Sequence, residues 1–175
     1  MISLGIDIGL SGALAVVRGE QLLDVQDMPT REKPGESLIR REVDGRALYE
    51  LVLRMCGERS DEAIAVCLEN VYGMRKVQTG RTPGIAGVFA FGDTRGAIRT
   101  VIEVLRLKPQ WVAPVSWKRH FGLVKPKDAP QGEVDKHAAR LKALELYPHA
   151  DLQRVKDHNR AEAILIARFG WDMVA

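Results

Sequence analysis

The chain has 175 residues, of which 46% are hydrophobic and 28% are charged, and its formal net charge is +3. This length predicts one domain over residues 1–175, and the composition excludes a disordered chain and a collagen-like repeat. Lysine and arginine are concentrated in residues 75–81 and 118–127. Such clusters favour a polyanionic partner, although they are also common on ordinary solvated surfaces.

The cysteines and the hydropathy pattern bear on the compartment. Cys56 and Cys67 match no metal-ligand spacing and are too few for a disulfide framework. The first residues lack the basic segment of a secretory signal, and no apolar run reaches the ~18 residues of a membrane-spanning helix. We therefore expect a cytoplasmic protein in a reducing environment, with no membrane partner.

The chain opens on an apolar stretch, residues 2–17, that a single acid interrupts. In a strand, isoleucine and leucine occupy one face, and the other face places Asp7 between Gly5 and Gly9. Glycines beside an acid allow a metal ion, a phosphate or another backbone to come close to the carboxylate. The alternative is a strand-end aspartate that hydrogen-bonds its own turn.

Two more strands are predicted next, over residues 12–18 and 21–28, with a short connection suited to an antiparallel hairpin. Prolines and charges predict a loop over residues 29–43. Asp44 then caps a helix that has four apolar residues on one face, Leu48, Leu51, Val52 and Met55.

A second acid, Glu69, ends the apolar residues 63–68. These residues are apolar on both faces, which predicts a strand inside a covered sheet. Residues 70–84 are polar and basic and include Tyr72. This segment is either a surface connection or an arm that contacts DNA, with Tyr72 stacking on a base or wedging into an opened duplex.

A long helix is predicted over residues 85–107, although Gly92 and Gly96 lower its intrinsic stability. Small residues one turn apart permit close packing in the core or at a dimer interface, or close approach of a nucleic-acid backbone. The residues expected to supply packing surface are Phe89, Val101 and Leu105.

Residues 110–115 predict a short strand, and Pro114 is compatible with this prediction either if the strand lies at a sheet edge or because the proline is among its last residues. Ser116 is expected to cap a short turn that contains Trp117 and Lys118.

Two helices complete the predicted fold. After a flexible segment at residues 122–132, a helix is predicted that stops before Pro148. The residues at helical spacing on its apolar face are Val134, Ala138, Leu141 and either Leu144 or Glu145. The final helix is predicted to begin near residues 157–159 and to end at Gly170.

A third acid, Glu162, lies on the apolar face of this final helix. Its neighbours at i+3, i+4 and i+7 are Leu165, Ile166 and Phe169. Because an unpaired carboxylate is costly to desolvate, a cation is expected beside Glu162. This cation is either a basic side chain from a neighbouring element or a metal ion.

Asp7, Glu69 and Glu162 thus each end or interrupt an apolar element. Mg²⁺ prefers a site with few carboxylates, in which water and phosphate oxygens complete the coordination shell. A site that holds two such ions can hydrolyse a phosphodiester. The fourth ligand is predicted one helical turn before Glu162, at His158. If the helix begins later, Asp157 becomes the alternative ligand.

Several segments together resemble, in order, the phage-type branch of the RuvC-like Holliday junction resolvases. They are Gly5-Ile6-Asp7-Ile8-Gly9 with Ser11-Gly12-Ala13, Leu68-Glu69-Asn70-Val71-Tyr72, Phe89-Ala90-Phe91-Gly92, Pro114-Val115-Ser116-Trp117-Lys118, and Asp157-His158-Asn159-Arg160-Ala161-Glu162-Ala163. The resemblance covers nearly the whole chain.

The resemblance implies an α/β protein with an RNase H-like fold, in which helices flank a mixed five-stranded sheet built from an antiparallel meander and then parallel strands. It implies a homodimer that nicks opposing strands of a four-way DNA junction in recombination and repair, in a bacterial cytosol, with phage or prophage origin left open. By position, Asp7, Glu69 and Glu162 match the family's metal-binding acids. Tyr72 matches an aromatic residue that interacts with bases at the junction centre.

The last motif departs from the family pattern, because many bacterial members have two aspartates where this chain has Asn159 and Glu162. Some members use histidine here, which keeps His158 as a candidate. Three acids and one imidazole carry less negative charge than four acids, so metal binding is expected to be somewhat weaker. Because imidazole is a better ligand for Mn²⁺ than for Mg²⁺, Mn²⁺ is expected to substitute for Mg²⁺ or to be preferred.

The sequence therefore predicts a Mg²⁺- or Mn²⁺-dependent endonuclease selective for branched DNA. Its catalytic and metal-binding residues are Asp7, Glu69, His158 and Glu162, and its DNA-contacting candidates are Tyr72, Arg75, Lys76, Arg81, Lys118, Lys125 and Lys127. One alternative is an RNase H-like DNA-binding module with little or no activity. Another is an actin-like or sugar-kinase-like ATPase, whose first phosphate loop residues 5–9 also resemble, although this length leaves room for only one of the two domains such enzymes need.

Overall fold

The computed structural model describes residues 1–35, 40–57, 63–71, 84–124 and 136–174. The strands in this part of the chain are β1 Ile2–Asp7, β2 Ala13–Arg18, β3 Gln21–Asp27, β4 Thr30–Glu32, β5 Arg41–Val43, β6 Ile64–Glu69 and β7 Pro109–Val112. The helices are α1 Gly45–Gly57, α2 Ile85–Val104, α3 Pro114–His120, α4 Lys136–Leu146 and α5 His158–Val174, and a short 3-10 turn, Val155–Asp157, precedes α5.

The central sheet has five strands in the order β3-β2-β1-β6-β7. Strands β1, β2 and β3 form an antiparallel meander, and β6 and β7 extend the sheet in parallel with β1. The predicted mixed sheet is therefore confirmed. Because β1 and β6 run in the same direction, their carboxyl ends meet at one edge of the sheet.

The alternation predicted for β1 separates two apolar cores. Ile2, Leu4 and Ile6 belong to a cluster that also contains buried residues of α1 and α2. The opposite face of β1 lies against α5. A Cβ atom at Gly5 would overlap the backbone of Ala163 and Ala167. Gly5 therefore serves the close approach of α5 to the sheet, one of the purposes that the sequence allowed for the glycines beside Asp7.

The predicted end of the last helix at Gly170 is wrong. Helix α5 continues to Val174, and Gly170 is buried inside it. A Cβ at Gly170 would lie 2.5 Å from Cys67 Sγ and 2.7 Å from Ser3 Oγ. Glycine is therefore present here because the helix packs tightly on the sheet, and not because it caps a helix terminus.

The region predicted as a loop over residues 29–43 contains a small two-stranded sheet, formed by β4 and β5. Strands of three residues are too short for hydrophobic alternation to reveal them. The cap predicted at Asp44 is confirmed, because Asp44 Oδ1 accepts hydrogen bonds from the backbone N–H groups of Arg46 and Ala47. All four apolar residues predicted for α1 are buried.

Two predictions around α3 and α4 also need correction. Pro114 is the first residue of α3, where its missing N–H costs nothing, so it lies outside β7 and Ser116 lies within the helix.

In α4 the buried residues are Ala139 and Ala143, whereas Leu141 is 60% exposed. Alanines let α4 pack against α5 at short range, so the inward face is rotated from the one that residue size suggested.

Helix α2 presents much of its amino-terminal half to solvent. Ile98, Val101 and Ile102 are buried, but Phe89 is 70% exposed, so the packing predicted for Phe89 does not occur within the described chain. Apart from Gly92 itself, its two neighbours and the adjacent helix backbone, no atom of the described chain lies within 4 Å of where a Cβ would stand at Gly92. None of the helices in the described ranges is long and apolar enough to cross a membrane.

Gly5 lies against the backbone of α5, whereas Gly92 faces open space, so the same substitution is expected to have opposite effects at the two positions. Gly5→Ala is expected to lower the free energy of unfolding by about 3 kcal/mol, because the methyl group would overlap the α5 backbone. Gly92→Ala is expected to raise it by up to about 1 kcal/mol, because alanine favours the helix and meets nothing. Urea denaturation of the two variants measures both changes. Equal effects of the two substitutions would contradict the packing described for Gly5.

Candidate metal centre

The structure brings together the three acids that the sequence singled out. Asp7 is the last residue of β1, and Glu69 is the last residue of the neighbouring parallel strand β6. Glu162 reaches the same edge of the sheet from the second turn of α5. One carboxylate oxygen from each of the three side chains lies within 4.8 Å of the other two.

Burial makes this group of acids electrostatically unfavourable when all three are charged. Asp7 and Glu69 are each only 7% exposed. Burial, followed by the charges of Glu162 and Glu69, raises the pKa of Asp7 well above its ordinary value. Burial and the charge of Glu162 also raise the pKa of Glu69. The site therefore favours binding of either protons or a cation.

Two consecutive residues of α3 partly compensate this charge. Trp117 Nε1 donates a hydrogen bond to Glu69 Oε1 over 3.1 Å. Lys118 Nζ forms an ion pair with Glu162 Oε1 at 3.2 Å. Both residues oppose the rise in the pKa of Glu69. The basic side chain predicted beside Glu162 is thus Lys118, which the sequence had suggested only as a DNA contact.

Trp117 is the site residue that the sequence reasoning missed. Its side chain is fully buried, and its indole N–H finds its acceptor on a strand 48 residues earlier in the chain. The available signal was local, because a tryptophan beside a lysine in a short, otherwise polar segment needs a partner for its N–H when it is buried. No sequence pattern indicated which acid would accept that hydrogen bond.

The two candidates for the fourth ligand differ in what they already bind. The carboxylate of Asp157 is buried and accepts hydrogen bonds from the backbone N–H and from Nε of Arg154, both over 2.8 Å. It therefore closes the turn before α5. His158 is the first residue of α5, four residues before Glu162. Among the described residues, the group of acids that approach within 4.8 Å does not include His158, so its role as a ligand stays a prediction.

Asn159 has a different function from that of a carboxylate. Its Nδ2 group donates a hydrogen bond to the backbone carbonyl of Ser11, in the turn between β1 and β2. An ionised aspartate at this position could not donate that bond. Asn159 therefore fastens the first turn of α5 to the hairpin that follows Asp7.

Of the predicted DNA-contacting residues, Lys118 falls within the described part of the chain. The other predicted DNA contacts lie outside the described residues; they are Tyr72, Arg75, Lys76, Arg81, Lys125 and Lys127.

Arg95 of α2 holds the chain just before Tyr72, because its guanidinium donates a hydrogen bond to the Val71 carbonyl over 3.1 Å. The same guanidinium lies 4.0 Å from the centre of the Trp111 ring, a cation–π contact. The hydrogen bond to Val71 therefore holds the backbone two residues after Glu69.

The donor set fits a hard divalent cation. Carboxylate oxygens are the ligands that Mg²⁺ and Mn²⁺ prefer, and three carboxylates converge here. Asp7 and Glu69 come from strand ends, and Glu162 comes from a helix packed on those strands, so rigid elements hold all three ligands.

No protein-family model matches the sequence, and no curated protein matches it at a significant level. Among solved structures, the chain is similar to RuvC of T. thermophilus in complex with a Holliday junction substrate, with a TM-score of 0.64 and 18% identity over 99% of this chain and 97% of that one. A second Thermus thermophilus RuvC structure gives a TM-score of 0.59 and 18% identity, over 99% of this chain and 96% of that chain. The chain therefore has the RNase H-like fold in the form found in RuvC.

Proposed function

We propose that this protein is a metal-dependent endonuclease that cleaves branched DNA, with four-way junctions as its main substrate. The observation that carries the proposal is the convergence of Asp7, Glu69 and Glu162 at one edge of a sheet with the fold of RuvC. One of the two similar RuvC structures is a complex with a Holliday junction substrate, which supports branched DNA as the substrate class.

The chain's own residues prepare the site for hydrolysis of a phosphodiester. Asp7, Glu69 and Glu162 would hold Mg²⁺ or Mn²⁺, with His158 as the proposed fourth ligand. The bound cation would act as a Lewis acid that lowers the pKa of water and stabilises the leaving oxygen. Lys118 neutralises part of the negative charge and lies close enough to the acids to approach a phosphate beside them. Burial of Asp7 and Glu69 limits competition from bulk water.

The exposed part of α2 supports the homodimer expected of a junction resolvase. Ile85 is 91% exposed, and Val88 and Phe89 follow it at helical spacings of three and four residues. These side chains form an apolar stripe on one face of the helix, which is typical of a surface that a partner covers. A second copy of the chain would supply the second active site needed to nick two opposing strands.

The activity predicts metal-dependent cleavage of a synthetic four-way junction. Asp7→Asn is expected to lower the cleavage rate by a factor on the order of 10² or more, because it removes a charged ligand worth several kcal/mol of transition-state stabilisation. Gel electrophoresis of end-labelled junctions with Mg²⁺ or Mn²⁺ measures the rate, and linear duplex is the substrate control.

Junction binding by Asp7→Asn, measured by mobility shift, separates loss of chemistry from loss of fold. Equal cleavage by wild type and Asp7→Asn would refute the metal-site assignment. Wild-type protein that binds the junction but never cuts it would instead indicate an inactive binding module, and hydrolysis of ATP without DNA would indicate a kinase-like enzyme.

Repulsion among the acids predicts a pH-dependent stability of the metal-free protein. Because the pKa of Asp7 is raised from its ordinary value of 3.8, its contribution to stability is complete below that value and is lost as the pH rises through the raised pKa. As the pH rises, the melting temperature of the metal-free wild type should therefore fall relative to that of Asp7→Asn.

Addition of Mg²⁺ at neutral pH should restore the melting temperature of wild type, because the ion binds the folded protein and not the unfolded chain. It should have little effect on Asp7→Asn, because this variant lacks one of the three carboxylates that bind the ion. Thermal denaturation followed by circular dichroism measures both effects. A melting temperature of wild type that does not respond to Mg²⁺ or Mn²⁺ would count against a metal site.

The fourth ligand is tested by comparing His158→Ala with Asp157→Ala. His158→Ala is expected to raise the Mg²⁺ concentration needed for half-maximal cleavage and to leave the melting temperature almost unchanged. Asp157→Ala is expected to lower the free energy of unfolding by about 1 kcal/mol, because it removes the hydrogen bonds to Arg154 that close the turn before α5. A larger increase in the Mg²⁺ requirement for Asp157→Ala than for His158→Ala would reverse the assignment.

A further inference from the structure

Helix α3 connects to two of the three acids through adjacent residues. Trp117 donates its indole N–H to Glu69, and Lys118 pairs with Glu162. Lys118 Nζ also lies 4.9 Å from the centre of the Trp117 ring, a cation–π distance. The indole therefore contacts one acid directly and supports the cation that holds another.

Apolar packing restrains the Trp117 indole that donates to Glu69. The Trp117 side chain is fully buried in an apolar cluster that includes Ala163 and Ile164 of α5. A tryptophan enclosed in this way has one available orientation, so its N–H has one direction. Glu69 has three rotatable side-chain bonds and lies at the end of a strand. The hydrogen bond over 3.1 Å therefore selects the rotamer of Glu69.

The bond also determines which oxygen of Glu69 is open. Trp117 occupies a lone pair of Oε1, which leaves Oε2 without this donor. A carboxylate held by a donor on one oxygen presents the other in a fixed direction, as partners outside the ligand set do for metal ligands in general.

We propose that Trp117 is a positioning residue of the metal centre, whose indole N–H orients the Glu69 carboxylate for a divalent cation. The inference rests on the proposed metal-dependent function. Trp117 touches neither substrate nor metal in this proposal, and it acts only through Glu69 and, by its ring, through Lys118. Its removal should therefore weaken metal binding more than it slows the reaction at saturating metal.

The test uses Trp117→Phe, which keeps an aromatic ring and removes the N–H donor. The matched control is Trp171→Phe, because Trp171 packs in the same apolar cluster but lies beside Gly19, at the opposite end of β2 from Asp7. Calorimetric titration with Mn²⁺ is expected to show binding to Trp117→Phe about tenfold weaker than to wild type. Trp171→Phe should bind as wild type does.

Cleavage of a four-way junction as a function of Mn²⁺ concentration supplies a second readout. For Trp117→Phe the half-maximal Mn²⁺ concentration should rise about tenfold, whereas the rate at saturating Mn²⁺ should stay within about threefold of wild type. A general loss of packing would lower the saturating rate or affect Trp171→Phe equally, and either result would overturn the proposal.

A third measurement does not require replacement of Trp117. The chain has three tryptophans, so Trp111→Phe combined with Trp171→Phe leaves Trp117 as the only one. Its fluorescence should change on Mn²⁺ or Mg²⁺ binding, because the acceptor of its N–H becomes a ligand. Unchanged emission at saturating metal, or Mn²⁺ affinity in Trp117→Phe equal to that of wild type, overturns the positioning role while the metal site stands. Absence of metal binding in wild type refutes the proposed function itself.

Discussion

The central constraint on this structure is electrostatic: three carboxylates lie within 4.8 Å of one another at a largely buried edge of the sheet. Such a group resists ionisation, which is why the pKa of Asp7 is raised by burial and by Glu162 and Glu69. A fold can tolerate this cost only where rigid elements hold the acids and a cation is within reach. Here β1, β6 and α5 hold the acids, and α3 supplies Lys118 as a resident cation.

The approach of α5 to the sheet makes this arrangement possible. Glu162 reaches the carboxyl ends of β1 and β6 because α5 lies directly on them, and glycines allow that contact at two points. Gly5 admits the α5 backbone, and Gly170 admits Cys67 and Ser3 against the helix. The residues that allow α5 to pack so closely therefore also determine the geometry of the acids, although neither glycine is itself a ligand.

Much of the local structure followed from the sequence. Alternation indicated the two faces of β1, the Asp44 cap indicated the start of α1, and the isolated acids Asp7, Glu69 and Glu162 stood out because each interrupted an apolar pattern. The failures have two physical causes. At Gly170 and Leu141, contacts between helices and distant elements outweigh the local preferences that predicted a helix end and a buried side chain. In residues 29–43, the strands β4 and β5 are too short for a hydrophobic period to reveal them.

By itself the sequence determined the residue types of the site, the elements that carry them and the need for a cation near Glu162, because an acid inside an apolar period is recognisable locally. Only the tertiary structure decided that Lys118 is that cation, that Trp117 donates its N–H to Glu69 and that Asp157 is engaged by Arg154. The physical reason is that a hydrogen bond or ion pair depends on positions in space. Trp117 and Glu69 are 48 residues apart in the chain, and nothing in either segment specifies the other.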